Sequence, residues 1–390
     1  SRPVYYYIVL LLIVTIIFIG NLSFHIDIIF GGYVLVAIIS SLLCQFSMLN
    51  HGWKKAALSG SLWLFIIFIF YSIINTPKEN KYIYNYIKFI KISFLIQIFW
   101  CYFQFFLNLF FEIDINTVLF CDLLGIVERG VAHREGMIMI TGLWSHAQNI
   151  SVVLVLSFFL FDNSLIRLLL LILAFLTKSS TAIIGIILCV GVLLFKRIVT
   201  NKTFGKINKK KFIVSCIVLV ILVWLLLQPD IVSLINNEVD YLINKLSLSG
   251  DDKSAYLHRR YYTALPYIFE KASVKDFLIG YGYRCSGFPF ASLLHQYQQL
   301  SSYVVESDIV NVLLSTGIVG VVLYYSWIIR IIVKGFKINW KYSACIIIIL
   351  IQGITYEIQM DWVLIFEMFM TIAIKNKIDI FKIKNGDLKN

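Results

Sequence analysis

The stretch AIIGIILCVGVLLF, Ala182 to Phe195, carries no charged side chain. Stretches of the same character recur about eleven times along the chain, most of them close to the roughly 17–25 apolar residues that a membrane-crossing helix needs. In lipid the backbone groups of such a segment are satisfied only within a helix. The candidate spans are Val4–Gly20, Ile26–Cys44, Ala56–Ile74, Ile87–Phe111, Ala147–Phe161, Leu165–Leu176, Thr181–Phe195, Phe212–Leu227, Asp308–Val333, Tyr342–Thr355 and Trp362–Ile374. They describe an all-α polytopic membrane protein with about 11–12 transmembrane helices. One long, more polar stretch, Gln228 to Val305, interrupts them.

Composition agrees: 59% of residues are hydrophobic and 14% charged, with mean hydropathy +0.84, where a soluble domain has roughly 25% charged residues. The net charge of +12 does not point to nucleic acid, because the lysines sit between apolar segments, where topology places them. The 7 cysteines form no CxxC pair and lie mostly in apolar runs, where cysteine behaves as a small hydrophobe. Neither a metal site nor a disulfide framework is expected. No small-residue cleavage site follows the first run, so a cleaved signal is not expected.

Lys196, Arg197, Lys202, Lys206, Lys209, Lys210 and Lys211 crowd one connection, and Lys375, Lys377, Lys382, Lys384 and Lys389 mark the tail. Both belong in the cytoplasm. The organisation expected is transmembrane helices over 1–227 with an outer loop at 112–146, a large periplasmic loop at 228–305, closing transmembrane helices over 306–375 and a cytoplasmic tail at 376–390. Counting back puts Lys54 and Lys55 outside, against the charge rule. The large loop balances acidic with basic residues and is rich in tyrosine, from Tyr256 to Tyr303, which favours a folded loop over a disordered one.

Gly280-Tyr281-Gly282, followed by Glu306-Ser307-Asp308-Ile309-Val310-Asn311 and Leu313-Leu314-Ser315-Thr316-Gly317-Ile318-Val319-Gly320, resembles the loop-and-helix signature of O-antigen polymerases, the Wzy family, shared with the O-antigen ligases. Gly142 with His146 to Asn149, and Thr177-Lys178-Ser179-Ser180-Thr181-Ala182, resemble two further family segments. The chain departs from the pattern twice. Glu306 stands where ligases place a histidine, which favours polymerase, and Ser180 stands where the family has an arginine.

The resemblance implies a GT-C-like, metal-independent glycosyltransferase of the inner membrane, without a cofactor. Such an enzyme moves a glycan from undecaprenyl pyrophosphate onto another lipid-linked repeat unit on the periplasmic face. Its partners would be the bilayer, the lipid-linked glycan and a chain-length regulator. The leaving group is a pyrophosphate, whose growing charge calls for preorganised cations, and arginine's planar fork suits phosphate. Arg129, Arg134, Arg259, Arg260 and Arg284 are the candidates, set against pairing with nearby acids or with anionic headgroups.

The acceptor hydroxyl needs a base within hydrogen-bond reach. Glu306, Asp308 and His258 are the first candidates and His295 the next. The bland reading of Ser307 and Asp308 is an ordinary helix N-cap, and of Gly317 and Gly320, close helix packing. Glu357, Asp361 and Glu367 lie in or near the last spans, where ionisable groups are costly. The rivals are an O-antigen ligase and a transporter or flippase of lipid-linked oligosaccharide. The latter is disfavoured because no internal repeat is visible.

Overall fold

The computed structural model describes residues 26–44, 51–74, 83–125, 133–134, 137–143, 147–177, 179–200, 253–293 and 305–354, with a few positions between 363 and 381. The candidate spans Val4–Gly20 and Phe212–Leu227 lie outside the described residues, as do Arg129, Lys178, His295, Glu357 and Asp361. The helices are α1 (Ile28–Leu43), α2 (His51–Ile74), α3 (Ile83–Phe111), α4 (Ala147–Leu160), α5 (Ser164–Leu176), α6 (Ser180–Thr200), α7 (Lys253–Lys271), α8 (Val274–Ile279), α9 (Phe288–Leu293), α10 (Asp308–Ile338) and α11 (Trp340–Gln352). Besides these there are a π-helical turn at Thr117–Leu123 and one two-residue antiparallel pair, His133–Arg134 with Met137–Ile138.

Stretches within α2, α3 and α10 are long and apolar enough to cross a membrane, and α1, α4, α5, α6 and α11 contribute shorter apolar segments. This is an all-α membrane protein. α4 is apolar on every side and its residues Ile150 to Phe159 are all buried, so it forms the centre of the bundle, as an all-round hydrophobic helix must. α3 sits at the rim, where Phe99, Phe103, Phe106 and Phe110 stay exposed and stack on one another at 6.1 Å in the pairs Phe99–Phe103 and Phe106–Phe110. Such rings belong against lipid tails.

The bundle has two unlike ends. At one, Lys341 lies 3.3 Å from Asp162, Arg167 pairs with Asp162 at 2.8 Å, and Lys196 sits 4.3 Å from the Trp340 ring. This end also holds the start of α1, where Asp27 caps the helix through Ile29 N and Phe30 N and pairs with Arg330 of α10. At the same end Lys334 binds Glu367 and Thr371, both at 2.9 Å. Glu367 is therefore the buried half of an ion pair.

The other end carries the extramembrane elements. The end of α1 reaches them through Leu43, whose carbonyl accepts from Lys275 Nζ at 3.0 Å. α2 starts there, with Gly60 packed under Tyr283 and Arg284, so Lys55 lies at the loop end. α7, α8 and α9 fold around a small apolar core of Tyr261, Ile268, Tyr281, Phe290 and Val305 that continues into α10 through Val310 and Leu314. The loop is thus rooted in the membrane helix that follows it.

Candidate active site at the loop end

α10 is not one straight helix. Gly317 breaks it with φ +65° and ψ −171°, a conformation open essentially to glycine alone. The break leaves carbonyls upstream without helical donors, and the glycine loop supplies them. Tyr281 N donates to Leu314 O at 2.7 Å and Gly282 N to Ser315 O at 3.2 Å. Ser40 of α1 adds its hydroxyl to Ser315 O at 2.7 Å, and Cys44 Sγ donates to Tyr281 O. A Cβ on Gly280 would lie 2.5 Å from the Ser315 backbone, and one on Gly317 would lie 2.4 Å from Leu278. The two glycine motifs are therefore the two sides of one backbone junction. Of the two glycines expected to serve close helix contact, Gly317 meets the backbone of Leu278 in α8, at the corner of α10, whereas a Cβ on Gly320 would strike Thr316 of its own helix.

The corner turns the first leg of α10, residues 308–316, away from the rest. Ser307 holds the N-cap position but makes no capping hydrogen bond with its side chain. Its hydroxyl lies 2.9 Å from Tyr262 Oη, which also donates to Ile354 O at 3.1 Å. Asp308 is the first helical residue, and its N–H donates to Gly353 O at 2.8 Å. Ser307 therefore does not act as the ordinary side-chain cap that the sequence allowed. Asp308 is 3% exposed, whereas Glu306, two residues earlier, is exposed.

Around Asp308 the chain gathers phenols from distant elements. Its carboxylate acts electrostatically on Tyr33 of α1 and on Tyr324 and Tyr325 beyond the corner of α10, and Tyr283 of the glycine loop acts on Tyr33 and Tyr324. Tyr33 and Tyr324 pack at 5.2 Å, as do Tyr324 and Tyr325. Tyr33, Tyr324 and Tyr325 were not singled out from sequence. The signal available was a Tyr-Tyr pair inside an otherwise apolar span, where each hydroxyl demands a partner.

The remaining sequence candidates fall as follows. His258, Arg259 and Arg260 lie on the first half of α7. Arg284 is exposed, with φ +61°, and its stem covers Gly60. Arg134 lies in the short strand pair, in the outer segment that leads to Gly142. Gly142 itself is held against α3, with Thr141 N and Gly142 N donating to Gln104 at 3.2 Å and Asn116 Nδ2 donating to Gly142 O at 2.7 Å.

The α5–α6 turn reaches the same end. Thr177 Oγ1 donates to Ala174 O at 2.7 Å, and Gln352, beside the Gly353 that receives Asp308, donates to Thr181 O at 3.1 Å. Among the described residues no group of three His, Cys, Asp or Glu side chains is placed to hold a metal ion. Outside the spans, burial pushes the Cys44 thiol up to about 12, with Lys275 pulling the other way.

The class is an all-helical membrane protein whose folded extramembrane loop is bolted to a broken helix, with carboxylates and phenols at the junction. Residues 165–325 match the family model described as O-Antigen ligase, a range that runs from α5 through the corner to Tyr325. That match supports the O-antigen ligase/polymerase superfamily, enzymes of glycosyltransferase type in surface-polysaccharide biosynthesis. No curated protein matches the chain.

Proposed function

We propose that the chain is a surface-polysaccharide polymerase of the inner membrane, joining undecaprenyl-pyrophosphate-linked repeat units at the loop end of the bundle, on the periplasmic side. The observation that carries this reading is the junction at Gly317. It brings the Glu306–Gly320 motif, the Gly280–Gly282 loop and the α7 face beside Tyr262 to one place, and it does so where the family match ends.

In this reading the acceptor hydroxyl attacks the anomeric carbon of the donor sugar while the bond from that carbon to the pyrophosphate oxygen breaks. The acceptor proton passes to Glu306, which stands exposed at the rim of the site and is free to release the proton to water afterwards. General base help of this kind is worth roughly 10²–10⁴-fold. Charge accumulating on the departing pyrophosphate is met by arginine. Arg259 and Arg260, on the first half of α7, are the first choices, followed by Arg134, Arg129 and Arg284. His258 is the alternative base.

The description of the matched family favours a second reading, ligase. Deletion of the gene in a strain of known surface glycan separates the two. A ladder collapsed to a single repeat unit supports polymerase. Long polymer retained on the lipid carrier, with none on lipid A, refutes polymerase in favour of ligase.

A further inference from the structure

One short helix of the extramembrane loop turns an apolar face outward. α8 starts from a capping box, in which Ser273 Oγ accepts from Asp276 N at 3.1 Å and the Asp276 carboxylate accepts from Ser273 N at 3.3 Å. Amides at its start are thus met without help from the rest of the chain. Val274, Phe277 and Leu278 stand at i, i+3 and i+4, which places them on one face. All three are exposed, Val274 to 77%. A contiguous apolar face of this kind marks a surface that something covers.

The position of α8 says what covers it. Lys275 Nζ donates to Leu43 O at the end of α1 at 3.0 Å, and a Cβ on Gly317, at the corner of α10, would strike the Leu278 backbone. α8 therefore lies across the ends of two helices that pack against each other. Both helices carry exposed apolar side chains up to that level, Leu35, Ile39 and Leu42 on α1 and Val319 and Val322 on α10. In a membrane protein these side chains meet lipid tails.

The level itself is a membrane boundary. From the corner at Gly317 to Ile338, α10 runs without a further break, a length of roughly 30 Å at 1.5 Å per residue. That is about the thickness of the hydrocarbon core. Lys334 and Lys337 mark the far end, so the corner and α8 stand at the near boundary.

We propose that α8 is an interfacial helix, its face of Val274, Phe277 and Leu278 sunk among the acyl chains of the leaflet on the loop side. Helices of this kind bury the apolar face about 5–10 Å into the boundary between headgroups and acyl chains. Lys275 and Asp276, paired at 3.1 Å, lie off that face. A second copy of the chain is the competing occupant. Lipid is favoured because the neighbouring faces of α1 and α10 are already in it. The anchor has a mechanical consequence: since Leu278 abuts Gly317, lipid contact on α8 holds the glycine loop against the corner. It does so whether the chain is a polymerase or a ligase.

The test uses the unaltered full-length protein in phosphatidylcholine nanodiscs, part of the lipid carrying a diazirine high in the acyl chain. Carbene adducts are mapped by mass spectrometry after illumination. Adducts on residues 274–278, comparable with those on Val322 of α10, are expected. Depth is then read by nitroxides on Val274→Cys and Leu278→Cys in a cysteine-free background. Both labels should lie about 5–10 Å below the lipid phosphates, more accessible to oxygen than to a soluble nickel chelate. Labelled Val322 with no adducts on residues 274–278 would overturn the anchor, and so would nitroxides on the aqueous side of the phosphates. A face closed to both oxygen and the chelate, in a protein that mass photometry finds dimeric, would assign it to a second copy and overturn the anchor equally. Should the cysteine-free variants fail to fold, the carbene map of the unaltered protein decides.

Discussion

Replacing Gly317 by alanine tests the junction on which the site depends. The residue holds φ +65° and ψ −171°, and placing a side chain in that region costs about 1–3 kcal/mol. The new Cβ would sit 2.4 Å from the carbon and oxygen of Leu278. Those are backbone atoms that cannot rotate away. Relief requires the glycine loop to withdraw, which breaks the bonds from Tyr281 N to Leu314 O and from Gly282 N to Ser315 O, each worth about 0.5–1.5 kcal/mol net. The sum is about 2–6 kcal/mol, a large share of the 5–15 kcal/mol typical of folded proteins.

The alternative relief is a straightened α10, which would carry Asp308 away from Tyr324 and Tyr325. Either route should abolish polymerisation and lower the melting temperature of purified protein by several degrees, measured in nanodiscs beside a glycan ladder from complemented cells. Gly191→Ala is the control. A Cβ there meets nothing within 4 Å, so the variant should be neutral or gain up to about 1 kcal/mol from helix propensity. If Gly317→Ala melts and polymerises as wild type does, the corner is not what assembles the site.

Further outcomes are expected. Glu306→Gln should reduce in vitro elongation of lipid-linked repeat units by about 10²-fold or more with unchanged abundance; a rate within a few-fold of wild type would remove Glu306 from the mechanism and leave His258 as the better base. Arg259→Ala and Arg260→Ala should each cut polymerisation strongly, with poor rescue by lysine; wild-type ladders from both variants would remove these arginines from the mechanism. Lys334→Met leaves the buried Glu367 carboxylate without its partner and should destabilise the protein by about 3 kcal/mol, with Lys334→Met/Glu367→Leu recovering most of the melting temperature. A cysteine at position 249 in a cysteine-free background should react with an impermeant maleimide in intact spheroplasts. Native Cys44 should stay silent at neutral pH, because burial keeps its thiol protonated up to about 12. The stability held by that neutral thiol is full below the unfolded value near 9 and is lost as pH rises toward 12.

The sequence by itself determined the class. Apolar runs such as Ala182–Phe195 have one solution in lipid, and their hydropathy is a local property that needs no partner. It also marked the Gly280–Gly282 loop and the Glu306–Gly320 segment, because glycines and carboxylates beside an apolar span stand out in one dimension. It offered Asp308 as a catalytic carboxylate or a cap and Gly317 as a packing glycine, without showing that the first is buried and that the second breaks a helix. Only the tertiary structure decided that Gly317 is a corner, since its φ is imposed by the backbone of Leu278 and no neighbour in sequence demands it. Only the fold could bring Tyr33, Tyr283, Tyr324 and Tyr325 around one carboxylate, because four separate stretches of chain contribute and none carries the signal alone. Local chemistry is written residue by residue, while a site is a set of long-range coincidences, fixed by which backbone groups must satisfy one another where no water is present to do so.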